Sequence, residues 1–598
     1  MSSCQSSRQV EATPTRHTLP FRAGDFATLT EALDYAAGGE TGINFYTGRG
    51  AIYASLGYAE LRSEALLLAD KLLGLGLNKG DRVALIAETD PEFIRFFCAC
   101  QYAGLIPVAL PASVKLGAHH TYVMQLRSLL EASDAAIGVA SEGYLPFLQE
   151  AGAPLSLRMV GEPAHFHALP ERGMPLPEIS ADDISYIQYT SGSTRFPRGV
   201  VIRHHTAMAN IQGISQDGLQ IGPEDRLMSW LPFYHDMGLV GFVLVPLATQ
   251  ISVDYLDTRE FAVRPRQWLT LMTKTRATIS FAPSFGYDLC ARRVRPNNLE
   301  EYDLSNWRVA GIGAEMIRPQ TLELFAEILA PCGFDHRAFT ACYGMAECTL
   351  GVSFSPLGRG FTTHYIDADH LAEKHEAVLL DESAREGRGR GRHFVNCGVP
   401  LPSFEVQIRD DGRILGDWQS GVIFLRGPSV MEGYFNMPAE TRDVLDADGW
   451  LNTGDIGYLA DGVLTITGRK KDIIIIHGRN IWPQDLEHIA EAQPEFRPGD
   501  AVAFSAPDES GEEHCVMLVQ CRETDTAVRS TLVRRLTALL RMEMSLDCYV
   551  ELVPIHSLPR TSSGKLSRAK ARLDFIAAQD AERDEHFAAE LRRRAASA

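Results

Sequence analysis

Several things are scarce in this 598-residue chain. Its eleven cysteines form no C-x-x-C pair and no zinc-type spacing. That excludes a disulfide scaffold and a structural zinc module, and it suggests reduced thiols in the cytoplasm. No apolar run is long enough to span a bilayer. The longest candidate, Val240 to Ala248, is broken by Pro246 and reads as buried core. The N-terminus lacks the apolar centre of a signal peptide, and residues 1–20 are expected to be a disordered tail. Positive charge is short: 57 Lys and Arg face 76 Asp and Glu, a formal net charge of −19. That balance argues against nonspecific nucleic-acid binding. Internal repeats are missing, and so is the nucleoside-triphosphatase loop G-x-x-x-x-G-K-[ST].

What is present points to a soluble globular protein. Hydrophobic residues make up 45% of the chain, and its length exceeds one ordinary core, so two or more domains are expected. Apolar strand-like runs alternate with amphipathic helical ones through the first two-thirds. Asp81 to Ala87, Ile106 to Leu110, Ala135 to Ala140, Arg226 to Pro232 and Ala277 to Pro283 are such runs. That texture predicts parallel sheets covered on both faces. After about Asn396, short strands separated by glycine turns predict a small β-rich subdomain to about residue 470. From about residue 471 to 598 the pattern is α+β. The fold class is therefore α/β. It comprises a large N-terminal domain (21–470) of two αβ-layered subdomains plus the β-rich one, followed by a small α+β C-terminal domain.

The chemistry concentrates in Tyr189-Thr-Ser-Gly-Ser-Thr-Arg-Phe-Pro-Arg-Gly199, which follows a buried strand and precedes a helix starting at His204. A loop of small, hydroxylated and basic residues can wrap its N–H groups around phosphate oxygens. Further motifs follow in order: Trp230-Leu-Pro-Phe-Tyr-His-Asp-Met-Gly-Leu239, Tyr343-Gly-Met-Ala-Glu347, Leu451-Asn-Thr-Gly-Asp455, Thr467-Gly-Arg-Lys-Lys-Asp472 and Leu558-Pro-Arg-Thr-Ser-Ser-Gly-Lys565. Together they resemble the adenylate-forming superfamily of acyl-CoA synthetases, peptide-synthetase adenylation domains and luciferases. The resemblance runs from about Phe26 to Leu573. Within the superfamily the chain looks like a fatty acyl-AMP ligase. The strings Gln188 to Arg195, Tyr287-Asp-Leu-Cys290 and Gly478 to Asp485 are typical of that subgroup. So is an insertion between Glu347 and Asn396, about residues 356–392, thought to hinder the conformation that lets CoA react.

This resemblance implies ATP and Mg²⁺ as cofactors, a fatty acid substrate and a separate acyl carrier protein as acceptor. A fatty carboxylate would attack the α-phosphorus of ATP, giving acyl-AMP and pyrophosphate. The acyl group would then pass to the phosphopantetheine thiol. It also implies roles for residues. Thr190, Ser191, Gly192, Ser193 and Thr194 would cradle the β- and γ-phosphates, with charge from Arg195 or Arg198. Glu347 would hold Mg²⁺, a hard cation that prefers carboxylate oxygen. Asp455 would bind the ribose hydroxyls, and Arg469 the ribose or α-phosphate. Tyr343, beside Gly344 and Met345, would stack on adenine, with Gly313, Ala314 and Glu315 on the other side; a core tyrosine is the competing reading. His235 would lie near the acyl carboxylate or gate its access. Lys565 would be the catalytic lysine, on a domain that rotates about the hinge at Lys471.

The acyl pocket is read around Phe281 to Tyr287 with Met237 and Leu239. Arginines 385, 388, 390 and 392, and Arg534, Arg535 and Arg541, form basic clusters that could meet an acidic carrier or be plain solvated surface. Two rival functions remain open: a fatty acyl-CoA ligase with the same adenylation residues, and a non-catalytic nucleotide- or acyl-binding protein.

Overall fold

The computed structural model describes residues 10–15, 18–112, 119–190, 198–381, 390–476, 479–508, 512–561 and 565–579, and the elements below are those of the described residues. A six-stranded sheet runs in the order Met159–Gly161, Ala135–Val139, Arg82–Ile86, Ile106–Leu110, Ile184–Tyr189, Gly199–Arg203. Its first five strands are parallel, and Gly199–Arg203 folds back antiparallel on Ile184–Tyr189. In a nine-stranded sheet the central six strands are parallel, from Gly42–Tyr46 through Val253–Leu256, Leu227–Ser229, Ile279–Ala282 and Val309–Ile312 to Phe339–Gly344.

These strands are continuous apolar runs because helices cover both sheet faces. Ile106–Leu110 is buried at every position. Pro91–Ala103 shows how local chemistry sets a covering helix. The Asp90 carboxylate accepts from Glu92 N at 2.8 Å, Pro91 fills the first turn, and Gly104 ends the helix at φ 63°. Val240 to Ala248 is helical and almost wholly buried, as its apolar composition requires.

A five-stranded antiparallel sheet follows, in the order Arg413–Ile414, Glu405–Asp410, Gly421–Arg426, Leu451–Ala460, Val463–Arg469. Before it, within the long Glu347–Asn396 segment, Thr363–Asp367 pairs antiparallel with Gly391–Val395. Ile366, Leu371 and Phe394 from this segment share an apolar cluster with Tyr458 and Ala460. The segment is thus fastened to the β-rich sheet by a core of its own. Phe394 is 1% exposed, and Phe394→Ala is expected to cost about 3–5 kcal/mol, read as a lowered denaturant midpoint at unchanged slope. A midpoint within experimental error of the parent would show that this core carries no weight.

The C-terminal part has a separate core. Its strands Ala501–Pro507, Glu513–Gln520 and Cys548–Val553 carry the helices Pro483–Glu491 and Thr526–Met544. The fold class is the expected one. The expected disordered tail needs correction at residues 10–15. Thr13 N donates to Asn44 Oδ1 at 2.8 Å and Arg226 Nη1 donates to Thr13 O at 3.0 Å. Residues 10–15 are therefore tied to the nine-stranded sheet: the buried Arg226–Asp254 ion pair offers donors that their backbone satisfies.

Candidate active site

The site assembles where parallel strands end. The loops leaving their carboxyl ends carry the functional side chains, as is usual for open parallel sheets. Tyr189 leads into Thr190, Ser229 into Trp230 to His235, Ile312 into Gly313 to Glu315, and Gly344 into Met345 to Glu347. Two of these turns require glycine. A Cβ on Gly313 would lie 2.8 Å from Cys342 O and Sγ, and one on Gly344 would lie 1.9 Å from Leu350 O. Ala314 takes the left-handed conformation at φ 69°, a local strain of the kind that marks functional turns.

Asp455 is the hub of one half. The Tyr343 hydroxyl donates to its Oδ2 and Arg469 Nε to its Oδ1, both at 2.7 Å. Asp455 and Arg469 face each other across the antiparallel pair 451–460 and 463–469, so strand register sets their contact. The Asp455 charge raises the Arg469 guanidinium above its ordinary range against the opposing effect of burial. Burial and Asp455 together raise the Tyr343 phenol well above its usual value. Tyr343 is 9% exposed: one polar edge is committed to Asp455, and the ring belongs to the core margin.

Lys565 reaches this site from the C-terminal part. Asp236, Glu315 and Asp455 are its charged neighbours on one sign and Arg469 on the other. Burial lowers its ammonium below the ordinary lysine range, and the three carboxylates oppose that shift. Asp236 is the reciprocal partner. Burial would raise its carboxyl, but His235, Lys565 and the Met237 N–H hold it below the usual carboxylate value. His235 Nδ1 lies 2.7 Å from Asp236 Oδ1.

Glu347 lies beyond Asp236. The Tyr434 hydroxyl donates to Glu347 Oε1 at 2.9 Å, and Arg198 lies over the Tyr434 ring, 5.2 Å from its centroid. Burial raises the Glu347 carboxyl, Tyr434 and Arg469 pull it down, and Asp236 pushes it up. Among the described residues no group of three His, Cys, Asp or Glu side chains could hold a metal by itself. A half-buried carboxylate with Asp236 as a second charged neighbour suits Mg²⁺, which is held by one or two carboxylates plus substrate phosphates.

Two ion clusters join the C-terminal part to the rest. Arg318 Nη1 meets Glu491 Oε2 at 2.7 Å. Arg390 Nη1 and Arg392 Nη1, both from the segment preceding Asn396, lie 3.0 and 2.6 Å from the Asp485 oxygens. Arg390 and Arg392 are therefore committed to Asp485 and do not form a free basic surface. Arg535 and Arg541 likewise pair with Glu495 and Asp547. Lys471 is exposed in the turn Lys470–Asp472, and its neighbour Asp472 pairs with Arg568 at 2.9 Å.

Thus Lys565, His235, Asp455, Arg469, Tyr343, Glu315 and Glu347 converge. Thr190 stands at the base of its loop, its N–H bonded to Arg198 O at 3.0 Å. Ser191, Gly192, Ser193, Thr194, Arg195, Arg385 and Arg388 lie outside the described residues. Of the candidate acyl-pocket residues, Tyr287 belongs to the core: it is fully buried, bonded to Gly311 O at 2.9 Å and ringed by Trp268, Phe325 and Phe339. Sequence reading gave no role to Asp236, Tyr434, Asp485 or the Arg318–Glu491 pair. Only the adjacency of Asp236 to His235 offered a signal; the others meet their partners across long stretches of chain.

The AMP-binding enzyme family matches residues 43–435. A Caulobacter vibrioides protein with the provisional name acyl-CoA synthetase is 48% identical over 95% of this chain and 99% of its own. The medium-chain-fatty-acid–acyl-carrier-protein ligase JamA of Moorena producens is 31% identical over 92% of this chain and 95% of its own. A solved structure from work on fatty acyl-adenylate ligases of E. coli and L. pneumophila superposes with a TM-score of 0.90 at 47% identity, over 94% of this chain and all of that one. With that match spanning more than half of the chain, and with the motif residues gathered at the strand ends, this protein belongs to the AMP-binding family of adenylate-forming enzymes.

Proposed function

We propose that the protein activates a fatty acid with ATP to acyl-AMP and pyrophosphate, then passes the acyl group to the phosphopantetheine thiol of a separate acyl carrier protein. The fatty acid is inferred from the names of the relatives with acyl substrates. A carboxylate is a poor nucleophile toward an anionic triphosphate, so the site must supply positive charge and alignment. Lys565 is set to bridge the incoming carboxylate and the α-phosphate, since its carboxylate neighbours favour the ammonium form. Asp455, oriented by Tyr343 and Arg469, presents acceptors for the ribose. His235, backed by Asp236, stands where the acyl carboxylate would approach. Glu347 would hold Mg²⁺, which when bound offsets phosphate charge.

The observation that carries the choice of acceptor is the Arg390/Arg392–Asp485 cluster. It fastens the C-terminal part, while Lys565 is in the site, to a segment that has its own core on the β-rich sheet. Either thiol acceptor reaches the acyl-AMP only after that part turns away; the cluster opposes that motion, and a docked carrier protein can offset the cost with surface contacts that free CoA lacks. The competing reading, an acyl-CoA ligase, is favoured by the name of the Caulobacter relative.

The deciding experiment supplies ATP, Mg²⁺ and a panel of fatty acids, alone, with CoA, and with a phosphopantetheinylated carrier protein, and resolves products by mass spectrometry. Acyl-AMP that persists with CoA and is consumed by the carrier is expected. Acyl-CoA as the main product would replace this reading with the CoA-ligase one.

A further inference from the structure

We infer that Tyr434 is a positioning residue that couples the Glu347 carboxylate to the hairpin bearing the phosphate-type loop. The inference rests on the reading of Glu347 as the Mg²⁺ ligand.

Residues 429–435 touch both halves of the site. Toward Glu347, Met431 N donates to Glu347 O at 2.8 Å, and Thr349 Oγ1 donates to Ser429 O at 3.2 Å. Toward the loop, Val201 N donates to Gly433 O at 3.0 Å and Phe435 N donates to Gly199 O at 2.7 Å. Tyr434 thereby forms an antiparallel bridge with Val200, at the outer edge of the six-stranded sheet. The base of the loop is closed there by Thr190 N on Arg198 O.

The Tyr434 side chain turns from this edge into the site. It is 6% exposed, its hydroxyl is given to Glu347 Oε1, and Arg198 lies over its ring. One residue thus carries backbone contact with the loop hairpin and side-chain contact with the carboxylate. Its backbone N–H is itself held by Thr441 Oγ1 at 2.9 Å, so the ring has a fixed origin.

The physical consequence concerns tolerance. Mg²⁺ accepts little departure from octahedral bonds of about 2.0–2.1 Å, and here it would be shared between one carboxylate and the nucleotide phosphates. Glu347 follows the strand Phe339–Gly344 of one sheet, whereas the loop follows Ile184–Tyr189 of the other. The 429–435 backbone holds the two elements together, and the Tyr434 hydroxyl extends that hold to the carboxylate itself. A hydroxyl on one carboxylate oxygen fixes the plane of the group and leaves the second oxygen for the cation. Partners of this kind are worth about 10–100-fold in metal affinity.

The test uses full-length Tyr434→Phe, which keeps the ring under Arg198 and removes only the hydroxyl. Free Mn²⁺ is measured by electron paramagnetic resonance in the presence of a non-hydrolysable ATP analogue, alongside the Mg²⁺ dependence of pyrophosphate exchange. Mn²⁺ affinity is expected to fall about 10–100-fold. Half-saturation by Mg²⁺ should rise in step, with most of the exchange rate recovered at saturating Mg²⁺. Glu347→Gln is run in parallel. Normal Mn²⁺ affinity in Tyr434→Phe with weakened affinity in Glu347→Gln would overturn the positioning role alone. Normal affinity in both would overturn the metal reading of Glu347 and this inference with it. A Tyr434→Phe chain that does not fold would also overturn the inference, because it would assign the hydroxyl to folding.

Discussion

Lys565→Ala is expected to slow acyl-adenylate formation by about 10²–10³-fold, the usual cost of removing one charge-stabilising donor from a reacting centre, while ATP binding stays near normal. The second half of that expectation follows from where the groups sit. Asp455, Tyr343, Arg469 and Glu347 are carried by strands and turns of the N-terminal part, and none depends on Lys565 for its hydrogen bonds. Lys565 instead enters from the C-terminal part and faces Asp236, Glu315 and Asp455. Pyrophosphate exchange reads the first quantity and calorimetry with a non-hydrolysable analogue reads the second. Exchange within a few-fold of the parent would remove Lys565 from the chemistry. The pH profile adds a second check. The charged lysine is the active form and burial lowers its pKa. Activity is therefore present below that depressed value and is lost as pH rises through it, before the ordinary lysine range. An alkaline limb at the ordinary lysine value would contradict the lowered ammonium pKa.

Asp485→Asn is expected to raise acyl-CoA formation by at least about tenfold relative to acyl-AMP formation, since tenfold corresponds to only about 1.4 kcal/mol in a conformational equilibrium. Asp485 meets both Arg390 and Arg392, at 3.0 and 2.6 Å. Neutralising it leaves Arg390 and Arg392 without their charge partner on the C-terminal part, so the Arg318–Glu491 pair alone of the two ion clusters still holds that part in place. The substitution spares the Ile366–Phe394–Tyr458 core, so the inserted segment stays folded. Removing Thr362 to Arg392 outright would not, because it strips one strand of the pair and uncovers Phe394. Coupled assays of CoA consumption and pyrophosphate release give the ratio. A folded Asp485→Asn chain with no gain toward CoA would leave the ion cluster without a part in acceptor choice.

Much of this was legible before any fold was known. Alternating apolar runs fixed the parallel sheets, since a strand buried on both faces has no choice but to be apolar throughout, as Ile106–Leu110 is. The motif strings named Lys565, Asp455, Glu347, Arg469 and His235 because each sits in a short, ordered context where spacing is local. Residues 10–15 read as part of a disordered tail because polar composition does not reveal that Thr13 meets Asn44 and Arg226. The basic cluster at Arg390 and Arg392 was ambiguous for the same reason: charge is visible in a sequence, but its partner at Asp485 lies about ninety residues away.

The sequence alone determined the architecture class, the adenylate-forming motifs and the groups able to do the chemistry, because these depend on side-chain type and on neighbours within a few residues. The tertiary structure alone decided how those groups face one another. It joined Tyr343 to Asp455, brought Asp236 to Lys565, tied Tyr434 to Glu347 and clamped Asp485 between two arginines. Such pairings join segments separated by tens to hundreds of residues. Hydrogen bonds need heavy atoms about 3 Å apart and ion pairs weaken with separation and salt, distances that only the folded chain defines.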